Sequence, residues 1–251
     1  KNATLIEVEI GENVETIGEA AFSTCPNLKN VTVPASVTSI EDWAFDNGVL
    51  ESITILGSVQ FGDKVFNEAT LLTTLNLLGN EVTFGDTDFY HAPIASVTLG
   101  SNSVVDAFFE AYNSNKANIR FVTLGDKVTS IVDNAFQGCS GLVSISNLNN
   151  VESIGNFAFY GCSSLTSISI PDSVTSIGDS AFQGCRALTL VSIPNNVSSI
   201  GNSAFNDCSG IESVILGSGL ASTESAFGGC TNLNSVELHN NSTVSSFKTI
   251  F

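Results

Sequence analysis

The sequence predicts an α/β solenoid, a right-handed coil of short, mostly parallel β-strands joined by short 3₁₀ or helical turns, and three observations predict it. Cys139, Cys162, Cys185 and Cys208 are 23 residues apart, and Cys230 follows after 22. Phe136, Phe159, Phe182, Phe205 and Phe227 keep the same step three residues earlier. In that register short stretches alternate β-branched and hydroxyl residues, as in Val31-Thr32-Val33 and Ile168-Ser169-Ile170. The period suits one strand and one turn per coil and is too short for helical repeats or propeller blades.

The Phe register extends backwards through Phe22, Phe45, Phe66, Phe89 and Tyr112 with steps of 21 to 24. The clearest unit reads Leu165-x-x-Ile168-x-Ile170-Pro171-x-x-Val174-x-x-Ile177-Gly178-x-x-Ala181-Phe182-x-x-Cys185, and it recurs about ten times with a partial coil at each end. Strand cores are expected after Leu5, Leu28, Leu50, Leu72, Ile94, Ile119, Leu142, Leu165, Leu188, Ile211 and Leu233. Within each, the period of two turns apolar side chains to one face and hydroxyls to the other. Pro34, Pro171 and Pro194, or Gly57, Gly79, Gly100, Gly125 and Gly217, stop the strand. Pro lacks a ladder donor, and Gly is expected to permit a sharp turn. A second extended piece, such as 174–177, places two more apolar residues inward, and Ala-Phe-x-x-Cys has room for a 3₁₀ or single α turn.

One domain over residues 1–251 is expected, irregular over about 57–125. There Val59-Gln60-Phe61-Gly62 and Val82-Thr83-Phe84-Gly85 lose one residue, and 105–112 reads as a short helix. Asn147 falls in an apolar slot, so a bulge that turns Leu148 inward is expected instead of a buried amide.

Composition narrows the function. Of 251 residues 43% are hydrophobic and 13% charged, which excludes disorder, and the net charge is −17. Eight Lys and Arg residues are too few to neutralise a phosphate backbone, so nucleic acid is not an expected partner. An anionic membrane surface is disfavoured likewise, and no apolar run is long enough to cross a bilayer in this segment.

The unit resembles the BspA-type class of leucine-rich repeats, whose period lies in the same range. The likeness rests on stretches such as Ile170-Pro171-Asp172-Ser173-Val174-Thr175-Ser176-Ile177-Gly178-Asp179-Ser180-Ala181-Phe182 and covers essentially the whole chain. It implies an α/β leucine-rich-repeat solenoid. It also implies an extracellular or cell-surface protein that acts in adhesion, binding a host protein or a protein of another cell. Asn does not recur regularly at the turn, so an asparagine ladder is not expected.

Reactive constellations are weak. One cysteine per coil at one inward slot makes a column of buried thiols, and the chain has no Cys-x-x-Cys for zinc. Parallel side chains also fit disulfide geometry poorly. His91 and His239 are four or more coils apart and lack a nucleophile motif. Glu7 with Glu9, and Asp86 with Asp88, lack an apolar pocket to split their pKa values, and Gly85-Asp86-Thr87-Asp88 is too short for a calcium loop. No catalytic residue, cofactor or metal is expected, and the chain is expected to be a non-enzymatic monomer.

The outward strand positions are mainly hydroxyl, as befits a solvated sheet. Phe121, Leu190 and Ile215 are the apolar exceptions, with Ser192 and Ser213 beside the last two, and apolar anchors in polar surroundings are typical of interface hot spots. Trp43 and Phe157 occupy the slot before Ala-Phe, where other coils have Ser180, Ser203 and Ser225. These seven residues are the candidate contacts with a protein partner. Carbohydrate binding by the hydroxyl face is the alternative, and Phe121 is the one outward aromatic available to it on the sheet.

Overall fold

The computed structural model describes residues 4–86, 89–220 and 225–238. The chain divides into two compact units, residues 1–127 and 128–251, each a parallel β-solenoid.

In the first unit the long strands Asn30–Val33, Ser52–Ile55, Thr74–Leu77, Ser96–Ser101 and Phe121–Lys127 form one parallel ladder in chain order. Val31, Ile53, Leu75, Val97 and Val122 face the core in register, and their alternate neighbours face solvent. A second parallel ladder runs through Thr16–Ile17, Ser39–Ile40, Val59–Phe61 and Val82–Thr83. The expected second extended piece is thus hydrogen-bonded from coil to coil. Phe61 and Phe84 fill the shortened pieces, stacked at 5.0 Å and edge-on to Phe66 and Phe89.

The expected helix forms at Asn102–Ala111, starting three residues earlier than the sequence suggests because Ser101 accepts a bond from the Val104 N–H. It buries Val104, Val105, Phe108 and Phe109 where a second-ladder strand would otherwise lie. The Tyr112 hydroxyl donates to the Ala92 carbonyl at 3.0 Å. A 3₁₀ segment follows at Asn113–Asn118.

In the second unit the second ladder is Ser130–Ile131, Ser153–Ile154, Ser176–Ile177 and Ser199–Ile200. The long-strand positions are Ser144–Ser146, Leu190–Ile193, Ser213–Leu216 and Ser235–Leu238, the last three hydrogen-bonded in order. Two expected strand cores do not form, those after Leu5 and Leu165. The loss at 167–170 follows from the preceding coil. Asn147 takes a left-handed φ of +62° and Leu148 turns inward to 5% exposure, which is the expected bulge and which removes the partner that Ser169 and Ile170 would pair with. Ile168 is left half-buried.

The Ala-Phe-x-x-Cys segment shows i to i−3 bonds, such as Gln183 N–H to Ser180 C=O at 3.1 Å and Cys185 N–H to Phe182 C=O at 3.1 Å, but they alternate and make no continuous helix. Instead every second N–H points to the next coil. Ser180, Phe182 and Gly184 donate to the carbonyls of Asn202, Ala204 and Asn206 at 2.7 to 2.9 Å, and the coils beginning at Asn134, Phe157 and Ser203 do the same. This ladder requires a left-handed residue at its start, and Ala20, Trp43, Lys64, Asn134, Phe157, Ser180, Ser203 and Ser225 all have φ between +50° and +62°.

Phenylalanines run down each core. Phe22, Phe45, Phe66 and Phe89 stack in the first unit at 5.1 to 6.0 Å. Phe136, Phe159, Phe182, Phe205 and Phe227 stack in the second at 4.9 to 5.0 Å, the spacing of neighbouring strands.

No ladder of asparagines alone forms among the described residues, but an Asx ladder mixed in Asp and Asn runs beside the second-ladder strands. The side-chain Oδ1 atoms of Asp133, Asn156 and Asp179 accept the backbone N–H groups of Asn156, Asp179 and Asn202 at 2.6 to 2.8 Å. Asp42 and Asp63 accept those of Asp63 and Asp86 at 2.9 Å. The position mixes Asp and Asn, so it escapes a search for Asn alone.

Candidate functional site

The open face of the first unit is hydrogen-bonded within itself. The Ser52 hydroxyl donates to Asn30 Oδ1 at 2.8 Å, the Asn76 amide to Thr54 Oγ1 at 3.1 Å and the Thr98 hydroxyl to Asn76 Oδ1 at 2.7 Å. A ligand that relied on those groups would have to displace bonds already made, for a net gain of only about 1 kcal/mol each. Phe121, in register with Ser96, is 49% exposed at the end of this face. Glu7 and Glu9 are exposed, as expected, but on a segment that forms no strand.

In the second unit Leu190, Ser192, Ser213 and Ile215 come together on adjacent strands. Leu190 pairs with Ser213, and Ser192 with Ile215, so the two apolar residues are diagonal neighbours about 7–8 Å apart. Leu190 is 48% exposed on the strand beside the interrupted coil, and Ile215 is half-buried between Ser192 and Glu237.

Trp43 and Phe157 lie elsewhere, at the left-handed start of the turn ladder in their respective units, both with φ of +54°. Trp43 is half-buried and the Lys64 ammonium of the next coil sits 5.8 Å from its ring centroid. Phe157 is exposed, with its ring edge-on to Tyr160 at 5.9 Å. Tyr160 escaped the sequence reading. Its signal was the column it interrupts, which holds Gln137, Gln183 and Asn206 in neighbouring coils.

The cysteines are free thiols and all but Cys230 are buried. Cys162, Cys185, Cys208 and Cys230 donate to the carbonyls of Phe136, Phe159, Phe182 and Phe205 at 3.0 to 3.2 Å. Burial, and then the adjacent thiols, push Cys162 and Cys185 well above the usual thiol range. Cys208 is pushed up to about 12 by the same causes, and burial carries Cys230 to about 11. Such thiols are poor nucleophiles and poor metal ligands. A stability term follows. Above pH 9 an unfolded thiol loses its proton while the folded one keeps it, so stability present below pH 9 falls as pH rises toward the folded values. The urea midpoint should decline between pH 9 and 12, and Cys208→Ala should flatten the decline by about 1.4 kcal/mol per pH unit.

His91 is held by the Asn67 carbonyl at 3.0 Å, with Glu68 at 3.4 Å, and stands edge-on to Tyr90. His239, Thr87 and Asp88 lie outside the described residues. On the exposed side of the helix, burial and then Glu110 push the Asp106 carboxyl up. Among the described residues no group of three or more His, Cys, Asp or Glu residues could hold a metal ion, and no helix is long and apolar enough to cross a membrane.

Short parallel strands recurring every 23 residues over a Leu, Phe and Cys core define a leucine-rich-repeat solenoid. The chain belongs to the BspA-type leucine-rich repeat family, whose profile matches residues 1–115 and 108–234 in six copies. Among solved structures it is similar to a leucine-rich-repeat protein of T. pallidum, with 28% identity and a TM-score of 0.50 over 66% of this chain and 71% of that one. A leucine-rich cell surface protein of Faecalibacterium prausnitzii A2-165 matches at 24% identity and TM-score 0.48, over 94% of this chain and 81% of that one. A leucine-rich-repeat protein of Bacteroides ovatus ATCC 8483 matches at 21% and 0.49, over 95% and 61%. No curated protein matches the chain.

Proposed function

We propose that the chain is a non-enzymatic binding module of a secreted or cell-surface protein, which adheres to a protein partner through the open face of its strands. Leu190 carries the reading. It is 48% exposed on that face, next to the interrupted coil and diagonal to Ile215, where the same slot holds Ser144, Ser167, Ser213 and Ser235 in other coils. An exposed apolar anchor with a hydroxyl rim is what a protein interface desolvates. Phe121 supplies a similar anchor in the first unit. Membership of the BspA-type family supports placement at the cell surface. On the first unit's face the self-bonded Ser52, Asn76 and Thr98 side chains favour a protein partner over a sugar.

Leu190→Ser and Ile215→Ser restore the hydroxyl character of neighbouring coils and should leave the melting temperature nearly unchanged. On an array of purified extracellular host proteins, the parent chain should bind at least one saturably, and the double variant should bind it at least tenfold more weakly. Equal binding by the two would remove the open face of the second unit from the interaction.

A further inference from the structure

We propose that Phe157 and Tyr160 form a saccharide-binding platform on the turn side of the second unit, for a neutral, β-linked sugar of glucose configuration. The site is independent of the strand face and of the protein partner proposed for it.

A side chain as large as Phe is uncommon in the left-handed region and is strained there when the surroundings impose it. At the same slot Asn134, Ser180, Ser203 and Ser225 meet the requirement with small polar residues, and Trp43 in the first unit has its ring covered by Lys64. Phe157 has φ of +54° and remains 39% exposed. Its ring gains an edge-on contact with Tyr160, itself 39% exposed, 5.9 Å away and inclined at 61°. Two inclined rings, one tipped with a hydroxyl, present an angled apolar surface with a polar handle.

The coils on either side place amides beside Tyr160. The turn ladder sets Gln137 one coil before Tyr160 and Gln183 one coil after it, through the bonds from Gly138 N–H to Tyr160 C=O and from Gly161 N–H to Gln183 C=O. Neither Gln side chain, nor the Tyr160 hydroxyl, has a hydrogen-bond partner among the described residues. Each amide offers two donors and an acceptor. A side chain added at Gly138 or Gly161 would meet nothing within 4 Å, so the approach is open. The acidic groups nearby, Asp133 and Asp179, accept the Asn156 and Asn202 N–H groups in the Asx ladder. A pyranose of glucose configuration with a β linkage carries its C–H bonds on its two faces and its hydroxyls around its rim. It can lay one face on the rings and turn its rim to the amides, and no ligand charge is called for.

The test uses the whole chain with cellotriose and the β-1,4-linked N-acetylglucosamine trimer, and sialyllactose as the charged control, read by saturation-transfer NMR and calorimetry. At least one of the two β-linked trimers should bind saturably and sialyllactose should not. Phe157→Ser and Tyr160→Gln install residues that neighbouring coils already use. Each should weaken binding at least tenfold while the melting temperature stays within about 2 °C of the parent value or rises. The proposal is overturned if neither trimer binds, if both variants bind as the parent does, or if Phe157→Ser lowers the melting temperature substantially, since the ring would then serve packing.

Discussion

Phe182→Ala should destabilise the chain by about 3–5 kcal/mol, read as a fall in the urea midpoint at an unchanged slope. Phe182 is fully buried, with Phe159 stacked on one side at 5.0 Å and Phe205 on the other at 4.9 Å. The ring spacing is set by the backbone, so the neighbours cannot slide together to fill the void, and the loss belongs at the upper end of its range. Removing Phe205 as well should cost less than the two single losses together, because the cavities merge and one ring contact is counted in both. A loss below about 1 kcal/mol for the single variant would mean that the column is not packed as described.

Gly178→Ala should cost about 3 kcal/mol in the same measurement, through a different mechanism. A Cβ at Gly178 would stand 2.6 Å from the Asn156 nitrogen and 2.6 Å from the Gly155 carbonyl carbon. Backbone atoms cannot rotate away, so the two coils must separate, which strains the Asx ladder and the short-strand ladder together. Gly11→Ala is the control: it meets nothing within 4 Å and should be nearly neutral. Gly138→Ala lies between them, because space is free but the φ of +78° disfavours any Cβ by about 1–2 kcal/mol.

Three strand-end glycines are the right residues in the sequence reading for the wrong reason. Gly79, Gly100 and Gly125 are expected to stop the strands by allowing sharp turns, yet Ser96–Ser101 runs through Gly100 and Phe121–Lys127 through Gly125. None has a positive φ, and a Cβ on each would fall 2.2 to 2.6 Å from the carbonyl oxygen of the glycine one coil before. They are there so that backbone can touch backbone. What repeats in side-chain chemistry was legible as the Phe stack and the thiol column, and so were two breaks in that chemistry, the helix and the bulge at Asn147. What repeats only in geometry was not. The left-handed slot holds Ala20, Lys64, Asn134 and Phe157 without shared chemistry, because the hydrogen bonds to the next coil impose it. Ile168-Ser169-Ile170 matches the strand pattern well and yet forms no strand, since the cause lies one coil earlier. In the candidate contacts, the apolar exceptions were visible as breaks in a column, whereas their separation between the strand face and the turn side depends on where each coil bends.

The turn ladder also has an electrical sense. In a β-ladder alternate N–H groups point to opposite neighbours, but here those of Ser180, Phe182 and Gly184, and their counterparts in neighbouring coils, donate to the following coil while the intervening Gln183 and Cys185 N–H groups turn back to carbonyls of their own coil. Their dipoles, about 3.5 D each, therefore align along the stack as they do in an α-helix. Within this ladder the polarity is reversed relative to the chain, with the N–H pole toward later coils, while the second-ladder N–H groups of Gly155, Gly178 and Gly201 donate to the preceding coil and oppose it.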